Sequence, residues 1–228
     1  MQDIQNTDEQ KQPVTGINIQ ILDIFFIVLT AIVFGFILII SATVNSRFHA
    51  VERAINKFIV CEQSSELIKE SANYLTDKAR LFVVTHKEMY VQDYLEEINT
   101  TKRQQKALDN LIKVCSEKDL ALQRLKIAIE QGKSLVNMEL YAIRLAYKVM
   151  ESETLPPQIA EIPIRSIDEN IENDKLQEIA VNNLFGEGYL IYKTRINENC
   201  RLTITAIEQQ IKAELNLNAD ELGSNIQR

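Results

Sequence analysis

The chain has 228 residues, a net charge of −7 and a pI near 5.1. No cluster of Lys and Arg with interleaved aromatics offsets that acidity, so nucleic acid is excluded as a partner. Only six Gly and four Pro occur and Trp is absent, so little of the sequence is built for turns and the composition points to long helices.

Residues 1–18 are polar, carry Pro13 and Gly16 and show no helical stripe; a short disordered tail is expected there. The run from Ile24 to Val44 reads IFFIVLTAIVFGFILIISATV, with nothing more polar than Thr30, Ser41 and Thr43. At about 1.5 Å rise per residue, such a run crosses the roughly 30 Å hydrocarbon core of a bilayer as one helix. The segment before it carries Asp3, Asp8, Glu9 and Asp23 against a single Lys11, the wrong charge for a cleavable secretory signal. An uncleaved anchor over 19–45 is expected, and membrane is the first partner.

The helical pattern does not stop at Val44. Phe48, Val51, Ile55 and Phe58, then Ile68, Ala72, Leu75, Ala79 and Phe82, extend it toward Thr85. A second stripe, Tyr94, Ile98, Thr101, Gln105, Leu108, Ile112 and Cys115, alternates spacings of four and three, a heptad seam with a polar centre. Ser116 followed by Asp119 lies near the capping-box pattern and predicts the start of a third helix. That helix has the cleanest stripe: Ala121, Leu125, Ala128, Gly132, Leu135, Glu139, Ala142, Ala146 and Val149. A second row, Leu122, Ile129, Val136, Ile143 and Met150, flanks it. Two adjacent rows make a face wide enough for a bundle core.

Leu155-Pro156-Pro157 ends the helix, residues 152–171 form a long connection, and a last helical region follows with Gly186 and Gly188 marking a kink. The tail past Leu217 is polar. The expected fold class is all-α: an N-terminal transmembrane helix continuing into an antiparallel up-down-up-down four-helix bundle over 46–217, with 218–228 as a tail.

Three cysteines, Cys61, Cys115 and Cys200, stand too far apart for a metal-ligand spacing. They read as buried thiols on helix seams or, in an oxidising compartment, as one disulfide of unassigned pairing and one free thiol.

The stretches SANYLTDKARLFVVT at 71–85, YVQDYLEEINTTKR at 90–103 and Lys106–Leu108 resemble a known family. It is the extracytoplasmic four-helix-bundle sensor region that bacterial diguanylate cyclases, chemotaxis receptors and sensor histidine kinases carry between two membrane helices. The likeness continues at Met138–Ala142, Leu155-Pro156, Tyr189 to Lys193, Ile196 and Cys200. The resemblance implies a homodimeric signal-input domain outside the cytoplasm that binds a small-molecule or protein ligand. The chain reaches Arg228 without a second apolar run or an output domain, which the resemblance reads as a receptor fragment or a truncated relative. Charge points the other way on sidedness: Arg47, Arg53 and Lys57 follow the apolar run and only Lys11 precedes it, which by the positive-inside rule would favour a cytoplasmic bundle. The extracytoplasmic placement rests on the resemblance.

Glu139 occupies a seam position otherwise filled by small and apolar residues, so its carboxylate needs a partner if the seam is buried. Counting back from the turns near His86 and Ser116 brings Arg80 within about a helical turn of it in height. Asn73, one heptad before Arg80, and Tyr141, beside Glu139, complete a candidate ligand pocket; a structural ion pair is the simpler reading of the same residues. Lys102 and Arg103 form a candidate anion site or a solvated face. No nucleophile motif, P-loop, dinucleotide fingerprint or metal spacing occurs, so neither catalysis nor a cofactor is expected. A single-pass scaffolding bundle with no small ligand is the rival reading.

Overall fold

The computed structural model describes residues 19–226; the expected tail over 1–18 lies outside them. Every regular element in the described residues is helical. The helices are α1 (Ile19–Thr85), α2 (Glu88–Glu96), α3 (Arg103–Val114), α4 (Leu120–Val149), α5 (Pro157–Ala160), α6 (Asn173–Phe185) and α7 (Glu187–Ile226). A π-helical turn covers Glu97–Thr101 and a 3-10 turn covers Ser166–Asp168. The chain divides into two compact units, 1–50 and 51–228.

In the first unit the side chains from Ile24 to Ile40 face outward, Phe36 at 64 % and Ile39 at 66 % exposure. This is the one stretch among the described residues that is long and apolar enough to cross a membrane. Its few polar side chains behave accordingly. Thr30 and Thr43 donate their hydroxyls to the carbonyls of Phe26 and Ile39, one turn back, at 2.7 and 2.8 Å, which removes a donor that an apolar medium could not satisfy.

In the second unit, α4 is the central element, packed against α6 and α7 and also against α3 and α5. Its buried residues include most of the two rows expected from the sequence, Ala121, Leu125, Ala128, Gly132, Leu135, Glu139, Ala142 and Ala146 with Leu122, Ile129 and Ile143. Val136, Val149 and Met150 are only partly buried, and Leu145 and Tyr147, on neither row, are buried as well. From α1, Ile68, Ala72, Leu75, Ala79 and Phe82 join the core as expected. Phe48 and Ile55 do not; they are exposed.

The second expected helix departs most. The heptad seam from Tyr94 to Cys115 is not continuous, because α2 ends at Glu96, the π turn inserts a wider loop and Lys102 takes a left-handed conformation at φ 49°. A heptad count cannot cross that break. After it the buried positions of α3 are Ala107 and Leu111; of the expected seam, Ile112 is half exposed and Cys115 is buried. The third helix starts at Leu120 rather than Ser116. Asp119 instead closes a turn, accepting from the Ser116 N–H at 2.8 Å and pairing with Lys57 at 2.9 Å.

The 150–172 connection is pinned to α4 by side chains. Tyr141 donates to Asp168 Oδ2, Arg144 donates to the Ile162 carbonyl at 3.3 Å, and Lys148 donates to the Asp168 and Glu169 carbonyls. Ile159 is fully buried beneath it. The break between α6 and α7 falls at Gly186, as expected, while α7 runs on to Ile226 through the region expected to be a tail. Gly186 is required by close approach: a Cβ there would stand 2.5 Å from the Asn182 carbonyl oxygen. Gly186→Ala should therefore lower unfolding stability by about 1–3 kcal/mol, whereas Gly188→Ala, where a Cβ meets nothing within 4 Å, should not. Chemical denaturation of the two variants side by side checks this.

Candidate functional site

Glu139 sits at the middle of α4 with no exposed surface, and three other helices supply its partners. Tyr94 of α2 donates to Oε2 at 2.9 Å, Tyr189 of α7 donates to Oε1, and Thr76 of α1 lies 3.1 Å from Oε1. Behind Thr76, Lys193 Nζ donates to its hydroxyl at 2.7 Å. Burial pushes the Glu139 carboxyl up to about 7, against the opposing effect of the Tyr189, Tyr94 and Thr76 hydrogen bonds and the nearby Lys193 charge. Burial also lowers Lys193 below its ordinary value. The cluster is a closed hydroxyl cage around one carboxyl group.

Arg80 is not the partner of Glu139. Its Nε and Nη2 donate to the Leu184 carbonyl at 3.2 and 2.7 Å, and its guanidinium lies over the Phe185 ring at 4.2 Å and the Tyr189 ring at 5.3 Å. It therefore caps the carbonyl end of α6 at the Gly186 break. Arg80 and Glu139 both meet Tyr189, one at its ring and one at its hydroxyl. Asn73 is exposed. Tyr141 belongs to a different cluster, in which Arg165 donates to its hydroxyl at 3.1 Å and to Asp168 at 2.7 Å. The structure thus does not bring Asn73, Arg80, Glu139 and Tyr141 together as one pocket.

Lys102 and Arg103 do line a cleft. It has a volume of about 560 Å³ and lies between α1, the π turn, α3 and α4, with Leu75, Ile98, Ile129 and Val136 supplying its apolar surface. Glu97, only 2 % exposed, is its buried carboxylate. Oε1 accepts from Ser71 Oγ at 2.8 Å and from the Arg103 backbone N–H at 3.3 Å, which places a carboxylate at the start of α3. Oε2 faces Arg103 Nε at 3.2 Å as an ion pair but receives no hydrogen bond. Gln104 also lines the cleft, and its buried Nε2 has no acceptor. Across from it, Gly132 leaves the room Gln104 occupies, because a Cβ there would stand 3.0 Å from Oε1 of the amide. Arg103 stacks over Tyr74 at 4.8 Å, so its guanidinium is held in place.

The cleft therefore joins a carboxylate oxygen that is charge-paired with Arg103 but receives no hydrogen bond, an amide donor without an acceptor, and a cationic rim of Lys102, Arg103 and Lys133. Sequence reasoning found the two basic residues and missed Glu97 and Gln104, because the heptad count placed neither on the seam. It found Glu139 and missed its cage, because Tyr94 and Tyr189 read as apolar stripe residues. Among the described residues no group of three or more His, Cys, Asp or Glu side chains is arranged to hold a metal ion. No family model, curated protein or solved structure matches the chain.

Titration of Glu139 fixes the sign of a stability change. The folded state holds this proton to about pH 7, whereas the unfolded chain releases it near the ordinary 4.5. The stabilisation is complete below 4.5 and is lost as pH rises through 7. At about 1.36 kcal/mol per pH unit, the difference sets a scale of about 3 kcal/mol. Urea unfolding between pH 5 and 8 should show the wild type weakening with pH over this range. Glu139→Gln, which cannot ionise, should be flatter by about that amount.

Proposed function

We propose that the chain is a membrane-anchored signal-input domain: an apolar anchor over 19–45, an antiparallel up-down four-helix bundle outside the cytoplasm, and a small-molecule site in the cleft at the Glu97–Arg103 break. The bundle reading is supported by pairings along α1. Lys78 meets Asp93, Ser71 meets Glu97 and Cys61 meets Cys115, so residue numbers fall on one side as they rise on the other. Arg80 with Leu184, Lys193 with Thr76, and Lys57 with Gln210 describe the same opposition between α1 and the last helices. The resemblance at 71–103 covers the walls of the cleft. α1 carries both the apolar run and the cleft residues Ser71 and Leu75, which offers a route by which occupancy is passed along the helix.

The observation that carries the reading is the pair of unsatisfied groups in the cleft. Buried polar atoms are ordinarily hydrogen-bonded; Gln104 Nε2 has no acceptor and Glu97 Oε2 has the Arg103 charge but no hydrogen bond, so a ligand with both a donor and an acceptor would complete the two. The cationic rim favours a carboxylate as the acceptor, and the apolar surface favours an aliphatic body. A small carboxylate bearing an N–H group fits all three.

The twenty common amino acids, titrated singly against the full chain in detergent and followed by thermal shift, probe that class. At least one should raise the melting temperature in a concentration-dependent way, and the response should fall about tenfold or more in affinity in Glu97→Gln or Arg103→Ala. No response to any probe from a folded protein would move the reading to a scaffolding bundle, whose core needs no ligand.

A further inference from the structure

Cys61 of α1 and Cys115, the first residue after α3, are 54 positions apart in sequence, yet their sulfurs stand 3.9 Å apart in the core. Cys200 is buried on α7 and is not part of this contact. We propose that Cys61 and Cys115 are a disulfide-forming pair, and that an external thiol–disulfide oxidant closes them into a cross-link that clamps the hairpin carrying the cleft.

A disulfide needs the sulfurs at about 2.05 Å, so the pair must close by a little under 2 Å. The backbone favours this at Cys115. It has left the helix, with φ −113° and ψ 141°, and leads into the Ser116–Asp119 turn, so its side chain can turn without breaking helical hydrogen bonds. The flanking ion pair of Lys57 with Asp119 at 2.9 Å already ties the same two elements together.

The two thiols are not equivalent. Cys115 keeps 8 % exposure, whereas Cys61 has none. The two sulfurs share one S–H···S contact in which either can donate; that contact holds the Cys115 thiol below its ordinary value, burial opposes this and the Lys57 ammonium adds to it. The same contact and burial raise Cys61. Cys115 is therefore the attacking thiolate. Its sulfur displaces one thiolate from a low-molecular-weight disulfide, R–S–S–R, leaving a mixed disulfide. Cys61 then loses its proton to water and attacks the Cys115 sulfur, and the second R–S⁻ departs. Two cysteine thiols become one S–S bond, and one R–S–S–R becomes two R–SH, a two-electron exchange. Cys200 stays out: burial pushes its thiol up to about 12.

The closed loop, 61–115, contains Ser71, Leu75 and the whole Glu97–Arg103 break, so the cross-link fixes the open end of the segment that walls the cleft. It stands on the sulfur geometry alone and is independent of what the cleft binds.

The full chain in detergent, equilibrated with oxidised glutathione and then alkylated, digested without reduction and read by mass spectrometry, tests it. The expected product is an intramolecular Cys61–Cys115 peptide with Cys200 alkylated, identical in Cys200→Ser. The oxidised protein should melt roughly 5 °C or more above the same protein held in dithiothreitol, a difference that Cys115→Ser removes. Three alkylated cysteines at full oxidant, a bond involving Cys200, or a covalent dimer through Cys61 or Cys115 would each overturn the assignment.

Discussion

The second unit depends on one buried carboxyl group. A carboxylate taken out of water without partners costs several kcal/mol, and the cost falls only if its lone pairs are met by well-placed donors. At Glu139 those donors come from α1, α2 and α7, one from each. Sliding any one helix by a turn along α4 would leave the carboxyl short of a hydroxyl in a core where nothing else can supply one. An apolar seam tolerates such slips, because one Leu or Ala replaces another at similar cost. The polar node therefore sets helix register, and the apolar rows around it supply most of the cohesion.

Arg80 extends the same node. Its guanidinium sits on the ring of Tyr189 and takes up the Leu184 carbonyl left open where α6 stops. The hydroxyl that reaches Glu139 and the ring that supports Arg80 belong to one side chain at the start of α7. The α6–α7 break is thus tied to α1 and α4 at one level.

The periodicity made α4 legible almost residue by residue, because a long unbroken helix lets a 3.6-residue count accumulate without error. The outward-facing apolar run was legible for the opposite reason, since it has no polar face to place. What the sequence hid lies where a count fails. The π turn at Glu97–Thr101 shifts the register of α3, so Ala107 and Leu111 are buried and Ile112 is not, while Cys115, past the end of α3, is in the core as the count has it. Glu139 was visible as a polar residue on an apolar stripe, but its partner was misassigned. A guanidinium is the obvious counter-ion for a carboxylate, and phenols on a hydrophobic stripe carry no signal of their own until the helices are brought together.

Among the described residues three other than Gly adopt positive φ: His86, Lys102 and Glu151. Such a conformation costs a side-chain-bearing residue roughly 1–2 kcal/mol. At His86 and Glu151 a helix ends and the chain leaves it, so the conformation serves to terminate and turn. At Lys102 the chain resumes a helix at the next residue, and continuing α2 directly into α3 would have avoided the strain and the π turn together. A continuous helix would, however, have carried the count on in step and withdrawn Glu97 and Gln104 from the positions they hold against α1 and α4. The strained residue, the π turn and the two unsatisfied polar groups occupy one eight-residue stretch, 97–104, that forms one wall of the cleft. Backbone strain and π turns recur at binding segments, and here both coincide with the cleft proposed as the ligand site.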